Sequence, residues 1–231
     1  MKLRQRCAII SESRTANMNK NYYFLIPARE GSKGFPHKNR KLFDYTAQTL
    51  PKHVADKVYV TTDDHVVKEK AKQYNFNIVD RPLSLAGDTA SLKPVLQHFV
   101  ESEKIDDNSV IVLLFLTYPQ RTWKDIEKII NFFETNGKNS LICAEEVKEH
   151  PYLCFYDLEN HRGELVVDHK LYRRQDYPPC FKQSMYVGCY RASVVDELHD
   201  LLIEKETIFY KLQSTKIDVD YEEDYNDTKS R

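Results

Sequence analysis

A short basic segment at residues 28–39 reads A-R-E-G-S-K-G-F-P-H-K-N and contains two glycines. From residue 29 to residue 41 the chain has five basic residues and one acid, although its formal net charge is only -1. Glycine permits positive φ and a close approach of the backbone to a ligand, and lysine and arginine bind phosphate oxygens. The segment therefore predicts a site for a polyanion such as a nucleoside triphosphate.

The position of this segment also favours phosphate binding. It follows the apolar run Tyr22–Ile26, which predicts a strand that ends at Pro27. Open α/β sheets bind their ligands at the carboxyl ends of strands. The alternative is a solvated basic loop, since most charged runs are solvated. The two common nucleotide motifs, G-x-x-x-x-G-K-[ST] and G-x-G-x-x-G, are both absent here.

Two carboxylates near residue 220 form a second candidate site. Asp218 and Asp220 flank Val219 in the sequence K-I-D-V-D. In a strand, residues two apart share a face, so both carboxylates would point at one cation. Carboxylate oxygens beside a triphosphate suit Mg²⁺. The alternative is that these aspartates cap a following helix, which the acidic run at residues 220–227 predicts.

Apolar runs and amphipathic repeats alternate along the first two thirds of the chain. Strands are predicted at residues 22–26, 57–62, 76–79, 110–116 and 140–144. Between them the sequence predicts helices at 42–50, from a cap at Asp63 or Asp64 to 74, from a cap at Asp88 or Thr89 through 92–100, and from Thr122 to 133. This alternation is typical of an α/β fold with a doubly wound, mostly parallel sheet.

The pattern changes after residue 145. Short aromatic pieces broken by His-Arg-Gly and Tyr-Pro-Pro predict a small antiparallel excursion at about 146–190. A helix at 192–203, strands at 207–210 and 216–219 and the terminal helix follow. Residues 1–21 are polar and aperiodic and predict a disordered or cloning-derived extension, which leaves residues 22–231 as one domain.

Composition narrows the class of protein. A chain of 231 residues can bury a substantial core in one domain. The near-zero net charge argues against a nucleic-acid or membrane-surface binder. There is no apolar run of membrane-spanning length, and the run at 7–10 is too short for a signal peptide. The five cysteines form no C-x-x-C pair, which predicts neither a zinc site nor a disulfide framework and favours the cytoplasm.

The basic segment resembles the signature A-R-x-G-S-K-G-x-P-x-K-N of the acylneuraminate (sialic acid) cytidylyltransferases. In that family the loop wraps the phosphates of CTP. The resemblance implies that Arg29 and Lys38 are the catalytic cations. It also implies a nucleotide-binding role for Ala28, Ser32, Lys33 and Asn39, with Ser32 and Lys33 along the phosphate path and Asn39 near the nucleoside.

Three further segments carry the same resemblance. Residues 81–91 are similar to R-P-x-x-L-A-x-D-x-A-S, which implies nucleoside binding by Arg81, Ala86 and Ser91; an X-Pro turn and a capped helix explain the same residues without a ligand. K-I-D-V-D resembles the family's metal motif and implies Mg²⁺ at Asp218 and Asp220. R-R-Q-D-Y-P-P resembles R-R-Q-D-L-P and implies that Arg173, Arg174 and Gln175 bind the sugar acid across a homodimer boundary; paired surface arginines are more often solvated.

The resemblance implies a Rossmann-like nucleotidyltransferase with a dimerisation excursion, in which CTP and a nine-carbon or related keto acid sugar give a CMP-sugar and pyrophosphate. Three departures bear on the sugar. Phe115 stands where the family pattern L-L-Q-P-T-S-P has a sugar-contacting glutamine, and the usual segment after Lys41 is shortened. The family's N-G-x-I-Y is only loosely matched by Met185 to Tyr190. The alternatives are a nucleotide-binding relative with impaired catalysis and a glycosyltransferase that uses a nucleotide-sugar.

Overall fold

The computed structural model describes residues 22–229. Within them the strands are β1 (Tyr22–Pro27), β2 (Val58–Thr62), β3 (Asn77–Asp80), β4 (Val110–Leu113), β5 (Ser140–Glu146), β6 (Phe155–Leu158), β7 (Arg162–Leu165), β8 (Phe181–Arg191) and β9 (Ile208–Lys211). The α-helices are α1 (Lys38–Thr49), α2 (His65–Gln73), α3 (Lys93–Ser102), α4 (Trp123–Asn136) and α5 (Glu222–Lys229). No helix in this part of the chain is long and apolar enough to cross a membrane.

Seven strands form one sheet in the order β3-β2-β1-β4-β8-β5-β9. Strands β1 to β4 pair in parallel, β8 runs antiparallel between β4 and β5, and β9 is parallel to β5. Strands β6 and β7 form a separate antiparallel pair. The predicted doubly wound, mostly parallel α/β fold with a small antiparallel sheet is confirmed.

The core lies on both faces of the sheet. Phe24 packs in a cluster that includes residues of α1 and α4, whereas the next residue, Leu25, joins a second cluster with Leu96 and Phe99 of α3. Successive residues of a strand point to opposite faces, so β1 is covered on both sides. This arrangement explains why β1 and β4 read as apolar runs without alternation.

Local capping follows the sequence at two helices and departs from it at a third. The Asp64 carboxylate accepts a hydrogen bond from the Val66 amide at 2.9 Å, and Thr122 caps α4. The N-cap residue of α3 is Leu92, which makes no side-chain cap, so the predicted cap at Asp88 or Thr89 is wrong. That carboxylate is committed to other partners, described below.

Three further elements differ from their predictions. Helix α1 begins at Lys38, inside the predicted loop. Residues 216–219 do not form the predicted strand. The Val219 amide donates to the Thr117 carbonyl, but this single hydrogen bond is not part of a series between two strands. The predicted helix at 192–203 is only a 3-10 turn at Ala192–Glu197.

The predicted excursion at about 146–190 contains β6 and β7 but also overlaps β8, which belongs to the main sheet. Residues 1–21 lie outside the described residues. The domain boundaries therefore stay a prediction.

Candidate active site

A cavity of about 400 Å³ opens where β1 and β4 end and α1 begins. This is the edge of an α/β sheet at which ligands bind. Eight of the predicted site residues line it: Arg29, Ser32, Lys33, Lys38, Asn39, Arg81, Phe115 and Asp220. The fold therefore gathers segments from residues 27–39, 81–95, 115–117 and 220–221 around one space.

The other predicted residues lie elsewhere. Ala28 is fully buried beneath the loop, Ala86 contributes its carbonyl 3.5 Å from Arg29 Nη1, and the Ser91 hydroxyl donates to Asp200 at 2.8 Å. Asp218 is exposed and is not among the residues that line the cavity, whereas Asp220 is. Ser91 therefore does not line the cavity in this structure, and its role in nucleoside binding stays a prediction.

The start of the basic segment is tied to the neighbouring strand. The Ala28 amide donates to the Thr61 carbonyl at 3.0 Å, and the Thr62 hydroxyl donates to the Ala28 carbonyl at 2.5 Å. The Asn39 amide nitrogen donates to the Arg29 carbonyl at 2.8 Å. Asn39 therefore folds the segment back on itself, in addition to lining the cavity.

The two glycines act through space rather than through positive φ. Neither Gly31 nor Gly34 has a positive φ, so that part of the expectation is wrong. Within residues 28–39 the residue in the left-handed conformation is His37, with φ 57°. A Cβ on Gly34 would lie 2.9 Å from the Asp220 carbonyl oxygen and 3.2 Å from the Tyr221 ring. Gly34 thus allows the segment to pack against the chain around residue 220.

Each of three cations in the segment is paired with a carboxylate. Arg29 Nη1 lies 2.7 Å and Lys33 Nζ 2.6 Å from the two oxygens of Asp88, and Lys38 Nζ lies 2.7 Å from Asp220. Hydrogen bonds from Lys33 and Arg29 lower the pKa of Asp88. A phosphate group entering the cavity would compete with Asp88 for these two cations. Sequence reasoning missed this role, because the pairing joins residues 59 positions apart.

Arg81 supports the floor of the site. Its guanidinium is buried and donates to the Thr61 carbonyl at 3.1 Å and, weakly, to the Thr61 hydroxyl at 3.4 Å. Burial lowers the pKa of Arg81 to about 10, which leaves it charged at neutral pH. Part of this cation faces the cavity, so it adds positive potential there.

The aspartate pair lies beside the end of β4. Val219 is fully buried and its amide holds the Thr117 carbonyl at 2.8 Å, which leaves Asp218 and Asp220 on the solvent side. Desolvation by surrounding atoms raises the pKa of Asp218, and repulsion from Asp220 adds to this. A cation near the pair would relieve that repulsion.

This donor set fits Mg²⁺ in one respect only. Mg²⁺ keeps several waters and is commonly held by one or two carboxylates together with substrate phosphates. Within residues 22–229, no group of three or more His, Cys, Asp or Glu side chains could hold a metal. Asp218 and Asp220 are thus suited to a metal shared with a triphosphate, not to a site made of protein alone.

One part of the cavity lining is apolar and is formed by Leu85, Leu92, Val95 and Phe115. Behind it lies Arg121, which sequence reasoning missed. Its buried guanidinium donates to the carbonyls of Phe115 and Tyr186 at 2.9 and 2.7 Å and to Thr46. Burial lowers its pKa to about 10. The only feature of the sequence that points to Arg121 is the presence of an arginine a few residues after a buried strand.

The predicted sugar-binding residues lie on the excursion, away from the cavity. Arg173 forms an exposed ion pair with Asp176 at 2.8 Å. Arg174 lines a separate cavity of about 250 Å³ with His150 and Tyr177, and Gln175 is exposed. None of the three lines the main cavity, so their sugar role requires a second copy of the chain and stays a prediction.

The chain is similar in sequence to several known proteins. The sequence profile of a family described as cytidylyltransferase matches residues 23–227. An N-acylneuraminate cytidylyltransferase from Streptococcus agalactiae serotype V is 30% identical over 168 residues, covering 68% of this chain. The matched part spans 40% of that relative's length. A pseudaminic acid cytidylyltransferase from Campylobacter jejuni is 28% identical over 73% of this chain and 78% of its own length.

Solved structures share the fold at low sequence identity. CMP:2-keto-3-deoxy-manno-octonic acid synthetase complexed with CTP superposes with a TM-score of 0.61 at 14% identity, covering 91% of this chain and 98% of that one. A 4-diphosphocytidyl-2C-methyl-D-erythritol synthase gives a TM-score of 0.63 at 11% identity, with 91% and 97% covered. At these identities the likeness concerns the fold alone.

Proposed function

The chain belongs to the cytidylyltransferase family, and from this premise we propose that it activates a nonulosonic, sialic-acid-like sugar with CTP. The products would be a CMP-sugar and pyrophosphate. One observation carries the proposal: Arg29, Lys33 and Lys38 meet Asp220 around a single cavity at the carboxyl edge of the sheet. The size of that cavity, about 400 Å³, lies in the range of small-molecule sites.

The proposed reaction is an in-line displacement at the α-phosphorus of CTP. The anomeric hydroxyl oxygen of the sugar forms the new bond to phosphorus. The bond from that phosphorus to the bridging oxygen breaks, pyrophosphate leaves with the electron pair, and the hydroxyl proton passes to solvent. Among the described cavity-lining residues Asp220 is the sole carboxylate, and it pairs with Lys38, so no side chain is assigned as general base.

Arg29 and Lys38 are proposed as the cations that neutralise charge on the phosphoryl oxygens and on the leaving pyrophosphate. Positioning and electrostatic stabilisation supply most of the catalysis in phosphoryl transfer. Lys38 is the first residue of α1, so the positive end of that helix adds to the same potential. Ser32 and Lys33 line the same side of the cavity and are proposed to hold the remaining phosphate oxygens.

Asp218 and Asp220 would hold Mg²⁺ jointly with the triphosphate. A bound Mg²⁺ supplies charge neutralisation at phosphate oxygens. The aspartates' own contribution is to keep two hard oxygens at the edge of the cation-lined cavity. Lys38 pairs with Asp220 and both line the same cavity, so a phosphate bound there would compete with that carboxylate for the Lys38 ammonium.

The acceptor class rests on the relatives, whose names specify N-acylneuraminate and pseudaminic acid. We propose a homodimer in which the excursion of one copy brings Arg173 and Arg174 to the cavity of the other. The excursion exposes large apolar side chains, including Phe155, Tyr156 and Tyr172, which supports a protein contact there. A guanidinium fork suits the carboxylate of a keto acid sugar.

The test is pyrophosphate release from CTP and Mg²⁺ with a panel of nonulosonic acids. We expect turnover with at least one of them and none without an acceptor. Turnover of none, from folded protein that binds CTP, would remove the enzymatic assignment.

One observation favours a second candidate, a nucleotide-binding relative that does not turn over. Phe115 gives the cavity an apolar wall where the resembling pattern has a glutamine. Calorimetry would then detect CTP binding while the panel releases no pyrophosphate. Consumption of a nucleotide-sugar in preference to CTP would instead indicate a glycosyltransferase.

A further inference from the structure

The hydroxyl of Tyr118 connects three separate parts of the chain. It donates to Asp218 Oδ2 at 3.0 Å and accepts from the Met185 amide of β8 at 3.2 Å. The Ser184 hydroxyl lies 3.4 Å from the Tyr118 hydroxyl and is a third, weaker contact. Tyr118 is only 3% exposed, so its hydroxyl is shielded from bulk water although Asp218 is exposed. A buried phenol with a donor and an acceptor partner is held in one orientation.

The surroundings of Tyr118 are rigid. Its ring packs edge to face on Tyr186, with ring centroids 5.5 Å apart and an interplanar angle of 88°. Tyr186 is itself fixed, because its hydroxyl donates to Asp125 at 2.8 Å and its carbonyl accepts from Arg121 at 2.7 Å. Such packing leaves the Tyr118 ring little freedom.

Asp218, by contrast, lies in a segment without regular secondary structure at residues 213–220. The Val219 amide bonded to Thr117 fixes the backbone there at one point. The orientation of the Asp218 carboxylate therefore depends on its side-chain hydrogen-bond partners, which are the Thr117 hydroxyl and the buried Tyr118 hydroxyl. Tyr118 stands where the resembling family pattern L-L-Q-P-T-S-P has serine.

We propose that Tyr118 is a positioning residue for the cation site and fixes the Asp218 carboxylate in the orientation that binds metal beside the triphosphate. The inference rests on the proposed function, because it takes Asp218 as a metal ligand. Partners that orient a metal ligand commonly change metal affinity by 10- to 100-fold when removed. Tyr118 touches no substrate in this scheme, and it acts through Asp218 alone.

The test measures how strongly Mg²⁺ promotes CTP binding. The dissociation constant of CTP is determined by calorimetry once with Mg²⁺ and once with EDTA, without acceptor, and the ratio of the two values is compared between variants. For Tyr118→Phe we expect the ratio to fall by about tenfold. The EDTA value should stay within about twofold, since the phosphate-binding cations are unchanged.

Tyr22→Phe is the matched control. It removes the hydroxyl of a buried tyrosine outside the cavity lining whose carboxylate partner, Glu134, lies on α4. Its ratio should equal that of the wild type. In an Asp218→Asn background, Tyr118→Phe should cause no further change, because the carboxylate it positions is gone.

Three results would overturn the inference. An unchanged ratio in Tyr118→Phe would mean that the hydroxyl does not act on the metal site. An equal loss of affinity with and without Mg²⁺, together with a lower Tm, would make Tyr118 a structural residue only. If Mg²⁺ does not change the dissociation constant of CTP for the wild type, the proposed metal site is wrong. CTP binding in EDTA is a separate result that such an outcome does not affect.

Discussion

The Lys38 ammonium lies 2.7 Å from a carboxylate oxygen of Asp220, although the two residues are 182 positions apart in the chain. This ion pair joins the N-terminus of α1 to the segment that precedes α5. It brings the basic segment and the aspartate pair, which the sequence presents as separate motifs, to one cavity. The same relation supports a shared role for both in binding a metal-triphosphate.

Lys38→Ala should lower kcat by on the order of 10²-fold or more, because it removes a charge that we propose acts on the reacting phosphate. The Tm should change little, since an ion pair to a largely exposed carboxylate contributes little to folding. Steady-state pyrophosphate release and thermal denaturation measure the two. Lys41→Ala is the control, as Lys41 lies in the same helix with its ammonium over the Phe35 ring. A large drop in Tm for Lys38→Ala alone would make Lys38 structural.

Asp88→Asn should tighten CTP binding, because it frees Arg29 and Lys33 from the carboxylate that holds both. The gain should reach no more than about fivefold, since exposed ion pairs are weak. Calorimetry with CTP in EDTA measures the change. Asp80→Asn serves as the control, because its carboxylate pairs with Lys68 away from the cavity. Weaker CTP binding by Asp88→Asn would show that the carboxylate orders the segment rather than competing with phosphate.

Gly34→Ala should reduce kcat/KM by displacing the basic segment from residue 220. The added Cβ would meet the Asp220 carbonyl oxygen at 2.9 Å, and a backbone atom cannot move aside as a flexible side chain does. Gly87→Ala is the control, because a Cβ there meets nothing within 4 Å. Activity equal to the wild type in Gly34→Ala would mean that the two segments separate during turnover.

Asp64 should make folding stability depend on pH in the acid range. Burial alone raises its pKa, but hydrogen bonds from Arg40 and from the Val66 and Val67 amides outweigh this and hold the pKa below its usual value. A depressed carboxyl pKa contributes stability that is complete above the unfolded-state pKa and is lost as pH falls through the folded-state pKa.

Denaturant unfolding between neutral and acid pH tests this in the wild type and in Asp64→Asn. Asparagine keeps a helix cap but loses the charge that pairs with Arg40. The variant should be less stable at neutral pH, and the gap should narrow as pH falls. A gap independent of pH would contradict the role given to the charged pair.

Sequence patterns were sufficient where the deciding interactions are local. The strand that ends at Pro27, the basic segment after it and the caps at Asp64 and Thr122 all depend on residues within a few positions. Sequence patterns failed where the role of a residue depends on a partner far away in the chain. Asp88 is a residue type that caps helices, but its carboxylate pairs instead with two cations of the basic segment, Arg29 and Lys33.

The same limit applies at the end of the chain. Asp218 and Asp220 were predicted as a pair on one strand, yet residues 216–219 have no strand partner, and Val219 is anchored to Thr117 by one hydrogen bond. The strand that pairs with β4 on this side is β8, which is inserted antiparallel into the sheet. No local sequence pattern predicts that insertion. Long-range pairing of this kind depends on packing across the whole sheet.

The proposed function requires the protein to join CMP to a keto acid sugar in the cation-lined cavity. ³¹P NMR follows this reaction when CTP, Mg²⁺ and a nonulosonic acid are incubated with the wild type or with Lys38→Ala. We expect the wild type to lose the CTP signals with equal gain of a phosphodiester signal and of pyrophosphate, and the variant to react on the order of 10²-fold more slowly. Unchanged CTP with every acceptor, or equal rates for the two proteins, would contradict the proposed function.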